Sequence, residues 1–413
     1  MPPSGFIQAL AAGSGGAICH DLRVSVTPQA RPWLRPPHLR TLEEQGEARR
    51  ASWLELFFDL VFVVAIAELA QQLVRDHTPG GFAIFAALFM PVFIAWQGFS
   101  FYADRFDTDD LLFRAVMFAA MLAILTLAGQ IENVAGGHGD FVFVLAYVVL
   151  RALVVGLNLR ARRHVPLARP LVERYAAGYS AAIVLWLASL LVPPPWRYVI
   201  WGLAVAFEYS IPVLAQHLHK RIPINPSHVR ERLALFTMIV LGESVVTVGL
   251  GTEDEHWNTG VAFTAALGFV VVAALWWVYF DDGVEEHLSA RAGAAELYTR
   301  IHVPLLLGLT AVGAGVHLLI EPLGAAAGWA FDGGAALFLL CATVAQGLTS
   351  TGLARATRTA RVLCAALLLL CAALGASIDR LGIAAASAAS LVLLIAYEIL
   401  ARHRALPAGP TPN

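Results

Sequence analysis

From about residue 53 to 403 the chain alternates apolar runs of roughly twenty residues with short polar or Gly/Pro-rich turns. A run of that length, rising about 1.5 Å per residue as a helix, spans the roughly 30 Å hydrocarbon core of a bilayer. Inside lipid a backbone amide finds no water, so each such run is restricted to a structure that bonds its own N–H and C=O groups, namely a helix. Composition agrees: 58% of the 413 residues are hydrophobic and 14% charged, with mean hydropathy +0.67, against roughly 45–50% and about 25% in soluble domains. The expected fold is an all-α integral membrane protein with no room between the runs for a soluble catalytic domain.

Twelve runs are expected to span, at roughly 54–74, 82–102, 112–131, 140–159, 173–192, 197–216, 232–251, 260–280, 300–320, 334–353, 360–377 and 381–401. Four segments follow: a largely disordered arm at 1–52, six-helix units at 53–220 and 221–403, and a tail at 404–413. Arginine and lysine fall in every second loop when counting starts from the arm, which itself holds six arginines. The alternate loops hold only Arg75, Arg197 and Arg380. Cytoplasmic loops carry the basic excess, so both termini are expected in the cytoplasm of a bacterial cell, with the chain in its inner membrane. Cys19, Cys341, Cys364 and Cys371 imply no disulfide framework.

The two units resemble each other. The first run opens with Glu55 and carries Glu68, while the seventh opens with Glu231 and carries Glu243. The second closes on Trp96, Tyr102 and Asp104, and the eighth on Trp276, Tyr279 and Asp281. Six spans between copies would leave them facing the same way, as a tandem duplication of parallel repeats.

Ionisable residues at membrane depth are costly, about 2.5–3.5 kcal/mol for a central Asp or Arg, and they usually pair or line a pathway. Asp59, Glu68, Glu208 and Glu243 occupy such positions, with Arg151 as a counter-charge. One arginine cannot neutralise four acids, so Asp59, Glu68 and Glu243 are candidates for handling protons or cations; pairing of Arg151 with Glu208 or Glu243 merely to order helices is the alternative. Ser244 in Leu241–Ser244, where Gly242 would let a helix approach, His302, His317, Asp104 and Asp281 are secondary candidates. The cytoplasmic loop Asp281–His287 reads as a solvated acidic turn. No Walker loop, nucleophile elbow, His-Glu-x-x-His or dinucleotide fingerprint occurs, so no enzyme, cofactor, metal or nucleic-acid partner is expected.

The blocks LELFFDLVFVVAIAEL at 54–69, FYADRFDTDD at 101–110, ERLALFTMIVLGESVV at 231–246, LWWVYFDD at 275–282 and HVPLLLGLTAVGAGVHLLIE at 302–321 resemble the bacterial low temperature requirement A (LtrA) family over about residues 53–403. That resemblance implies a multi-pass membrane protein and carries over no catalytic residue. Phe57, Phe58 and Asp59 also resemble the Phe-Ser-Asp pore helix of a duplicated six-plus-six-helix potassium channel family. Here Phe replaces Ser, and the second half has Phe236 and Thr237 without an Asp. The leading expectation is a transporter or permease for a small solute or ion in the lipid bilayer, coupled through buried carboxylates and compatible with a homo-oligomer. A cation channel is second, and a membrane scaffold, sensor or lipid-acting protein linked to growth in the cold is third.

Overall fold

The computed structural model describes residues 33–39, 51–219, 222, 225–251, 258–281, 288, 294–320, 326–349, 353–375, 377 and 379–405. Most of the arm, the acidic loop at 282–287, Cys19 and the tail from 406 onward lie outside those residues. The chain is an all-α, multi-pass membrane protein. The first half contains α1 (Trp53–Arg75), α2 (Pro79–Arg105), α3 (Leu111–Ala128), α4 (Asp140–His164), α5 (Arg169–Ser189) and α6 (Trp196–Leu214). The second contains α7 (Pro226–Gly251), α8 (Thr259–Phe280), α9 (Ala294–Ile320), α10 (Trp329–Gln346), α11 (Arg355–Leu374) and α12 (Arg380–Ala405). Ten of these are long and apolar enough to cross a membrane. The others are α1, interrupted by Glu55, Asp59 and Glu68, and α5, which opens with Arg169, Glu173 and Arg174.

Local signals explain where helices begin. In α1 a capping box closes the first turn: Ser52 N–H donates to Glu55 Oε2 at 2.7 Å and Glu55 N–H to Ser52 Oγ at 3.3 Å. Glu55 is therefore a cap, although buried rather than reaching solvent. The start of α7 lies six residues before the expected 232, because Asn225 Oδ1 accepts from the backbone of Ser227 and His228, and Pro226 occupies the first helical position. That extension draws Arg230 and Arg232 out of a presumed basic loop and into the bundle. α10 opens before the expected 334 with a π turn at Trp329–Gly333 and ends at Gln346, not 353. The expected span begins at Gly334, with Gly333 just outside it. Both lie within the helix, and a Cβ on Gly334 would come within 2.6 Å of the Gly308 carbonyl, a backbone approach only glycine permits.

Helix pairings repeat between the halves. In the first, α1 packs on α2 and α3, α3 on α4, α4 on α5, α5 on α6, and α2 on α4 and α6. In the second, α7 packs on α8 and α9, α9 on α10, α10 on α11, α11 on α12, and α8 on α10 and α12. The halves meet where α1 and α2 contact α7 and α9. From Gly308 to Ile320 every residue of α9 is buried, matching a helix apolar on all sides. The arm contributes β1 (His38–Leu39), antiparallel to β2 (Phe106–Asp107) after α2.

Candidate functional site

The seam between the halves holds buried charges of both signs. Asp59 of α1 is fully buried. Its Oδ1 accepts from Trp96 Nε1 of α2 at 2.7 Å and from Arg232 Nη2 of α7 at 2.8 Å. Arg232 also donates to Ser100 Oγ at 3.0 Å, and Trp96 stacks on Phe236 with ring centres 4.7 Å apart. One turn nearer the arm end, Asp104 Oδ1 lies 2.8 Å from His228 Nδ1, and its Oδ2 accepts from the Asn225 N–H at 3.0 Å. Two acids of the first half are thus tied to two basic side chains of α7. Charge-assisted hydrogen bonds contribute about 1.5–3 kcal/mol each. Asp59 Oδ2 and two of the Arg232 nitrogens make no hydrogen bond, so the pair has unused capacity to take a proton or a ligand.

A second cluster lies inside the first half. Arg151 Nε of α4 is 3.2 Å from Glu208 Oε2 of α6 without hydrogen-bond alignment. The guanidinium sits over the rings of Tyr147 and Tyr179, 4.9 and 5.3 Å from their centres. Glu208 accepts instead from Tyr147 Oη at 2.8 Å and Trp186 Nε1 at 3.0 Å. A third cluster lies inside the second half, where Arg361 of α11 grips Glu398 of α12 through two bonds of 2.6 and 2.9 Å and also contacts Gln346 of α10.

The expected acids therefore do not form one set. The structure joins Arg151 to Glu208 and places Asp59 on a different interface. Glu68 is half-buried on α1, on the helix face that carries the exposed Phe57, Leu60 and Val64, and makes no hydrogen bond or ion pair among the described residues. Glu243 is half-buried on α7, its carboxylate accepting from Thr247 Oγ1 at 3.4 Å. Ser244 packs against Gly313 of α9, where a Cβ would lie 3.0 Å from its Cα; Gly242, expected to give that access, has nothing near it. His302 is buried between the Tyr298 carbonyl at 2.6 Å and Tyr279 Oη at 2.8 Å. His317 is buried on α9, and Asp281 at the end of α8 pairs with Arg402 at 2.5 Å. Among the described residues no group of three His, Cys, Asp or Glu is placed to share a metal ion.

Arg232, His228, Arg361, Glu398 and Asp332 were missed from sequence. The first three stand in or at the edge of the polar segments between apolar runs, although Asn225-Pro226 already signals an earlier helix start. Asp332, fully buried in the π turn and hydrogen-bonded to Ser387, fell outside its expected span.

Comparison with known proteins adds a family and no activity. The profile of the family described as bacterial low temperature requirement A protein (LtrA) matches residues 50–396. An uncharacterized protein of Rhizobium meliloti (strain 1021) is 28% identical over 314 residues, covering 72% of this chain and 75% of that one.

Proposed function

The chain belongs to the bacterial LtrA family, and from the charges at its seam we propose that it is a permease-like transporter of a small solute or ion. In this reading two duplicated six-helix halves cross the inner membrane twelve times with both termini in the cytoplasm, and buried carboxylates couple transport to a proton or cation. The recurring helix pairings support the duplication. The observation that carries the reading is the buried Asp59–Arg232 pair, which links the first helix of one half to the first helix of the other while leaving Asp59 Oδ2 free.

Alternating access by parallel repeats requires the halves to move against each other. Movement at this seam must break Asp59–Arg232 and Asp104–His228. A proton on Asp59, or a cation beside its free oxygen, would remove the shorter of the two attractions for Arg232, leaving Glu55 at 3.9 Å, and so loosen α7 from α1. Glu68 and Glu243, half-buried on those same two helices, would receive and pass the coupling ion.

Purified protein in liposomes, loaded to read proton, potassium and sodium movement, tests this. Asp59→Asn keeps the shape and deletes the charge, so it is expected to lower coupled flux at least tenfold, with Glu243→Gln lower by a smaller factor. Wild-type flux from both variants overturns the role of the carboxylates. Absence of any flux from wild type overturns transport and favours a scaffold, a reading supported by the closure of Arg151–Glu208 and Arg361–Glu398 each within one half.

A further inference from the structure

The repeat of helix pairings is broken at one place. In the second half α8 and α12 pack extensively, whereas the equivalent α2 and α6 touch sparsely. Between α2 and α6 lies a cavity of about 350 Å³, within the range of small-molecule sites. It is not a necessary product of the six-helix arrangement, because the same arrangement closes in the other copy.

No lining residue of this cavity carries a charge. Its back wall is aromatic: Phe143 stacks on Trp201 at 5.4 Å, and Trp186 lies 5.2 Å from Trp201. Both indole N–H groups point away from the space, Trp186 donating to Glu208 and Trp201 to Ser189 Oγ at 2.8 Å. Only ring faces remain. Tyr198 at one end turns its hydroxyl toward Asp140, at 3.5 Å. The lining is predominantly apolar, and apolar cavities take up apolar molecules.

The rim opens at the surface of the helix bundle. Ala87 on α2 and Gly202 on α6 are exposed at its edge, about 12 Å and 9 Å along their helices from the end that carries the turn at 129–139. Small residues at that depth leave a lateral gap opening into lipid. Pro91, also in the lining, lacks the N–H that would otherwise bond the Ala87 carbonyl, so the α2 wall lacks one rung of its ladder at the same place.

We propose that this cavity is a binding site for the acyl chain of a bilayer lipid, entering between α2 and α6 and lying against Trp186 and Trp201. Lipid chains are the most concentrated apolar molecules at such an opening, and an uncharged lining selects the tail and not the headgroup. Because Trp186 also holds Glu208, the occupant rests against the group that positions the Arg151–Glu208 pair. The site is independent of the transport reading.

Tryptophan quenching by phosphatidylcholine with brominated acyl chains tests it. The cavity holds two of the ten tryptophans. Gly202→Leu fills the space, and its new Cβ meets nothing within 4 Å, so the backbone need not shift. Ala87→Leu fills it from the opposite wall. Each variant is expected to lose up to about a fifth of the wild-type quenching, while Gly156→Leu, an equal addition on α4 with no neighbour within 4 Å, loses none. Quenching unchanged in both filled variants overturns the proposal. So does quenching of the cavity by free bromo-octanol and not by brominated lipid, which would assign the site to a free apolar solute. A filled variant that unfolds in detergent is set aside and the other decides.

Discussion

Among the described residues each half buries one Arg–Glu pair, and the two are built differently. In the second half, Arg361 and Glu398 meet side-on through two hydrogen bonds, with Gln346 from a third helix on the same guanidinium. In the first, Arg151 makes no aligned bond to Glu208 and is held by charge and by two tyrosine rings, while Glu208 takes its hydrogen bonds from Tyr147 and Trp186. The difference follows the packing around them. Where α8 and α12 close, the pair is a rigid clamp. Where α2 and α6 part around a cavity, the carboxylate is shared with its aromatic wall. The second half therefore reads as the fixed partner and the first as the half with room to adjust.

The largest expected effect comes from breaking the clamp. Arg361→Leu leaves Glu398 in the interior with Arg402, 3.9 Å away and half exposed, as its remaining counter-charge, and is expected to cost about 3 kcal/mol. Arg361→Leu with Glu398→Leu should recover most of that loss, because an apolar pair of similar size carries no desolvation cost. Glu208→Gln keeps one acceptor oxygen for Trp186 and turns an amide NH2 toward the Tyr147 hydroxyl, which can rotate to accept; it leaves Arg151 over its two rings, so about 1–3 kcal/mol is expected. Unfolding in detergent measures all three, and equal losses at both sites would erase the distinction between the halves.

How far the sequence foretells this depends on what each signal measures. Apolar run length is a property of one segment, so the helices were legible. Glu68 and Glu243, expected at membrane depth in one set with Asp59, lie half-buried on α1 and α7. Partner choice depends on how helices rotate and dock, and that is not written in any single run. Arg232 and Arg361 sit within two turns of a helix start, where an arginine reads as an interfacial charge; only docking against Asp59 and Glu398 turns them inward. The cavity is still less legible, since Ala87 and Gly202 are ordinary small residues until α2 and α6 are seen to leave them unfilled.

Glycines sharpen the same contrast at smaller scale. On α9, a Cβ at Gly315 would lie 2.4 Å from the Phe331 backbone nitrogen, which cannot be relieved by a rotamer change. Gly315→Ala is expected to cost about 1–3 kcal/mol through forced separation of α9 and α10. Gly202→Ala on α6 meets nothing and, in a helix, should be neutral or stabilise by up to about 1 kcal/mol. Thermal unfolding of the two variants in one detergent reads both signs.

The smallest effect lies at the rim of the first half, where the arm is fastened. Asp110 caps α3 by accepting from the Phe113 N–H at 2.9 Å, and takes further bonds from Arg160 at 2.6 Å and from the Arg35 N–H at 3.1 Å; Arg160 also reaches the Arg35 carbonyl. Burial pushes this carboxyl up, but the bonds from Arg160, Phe113 and Arg35 outweigh it and hold the group below its ordinary value. A depressed carboxyl stabilises the folded contact above its unfolded pKa, near 3.9, and that contribution is lost as pH falls through the lower folded value. The β1–β2 contact should therefore hold between pH 7 and 5 and loosen progressively below about pH 4. Asp110→Asn retains a capping oxygen and discards the charge. Its arm is expected to exchange amide hydrogens at Leu39 faster than wild type at pH 7, with less further change on acidification. An arm whose exchange responds to pH equally in both proteins would show that Asp110 does not fasten it.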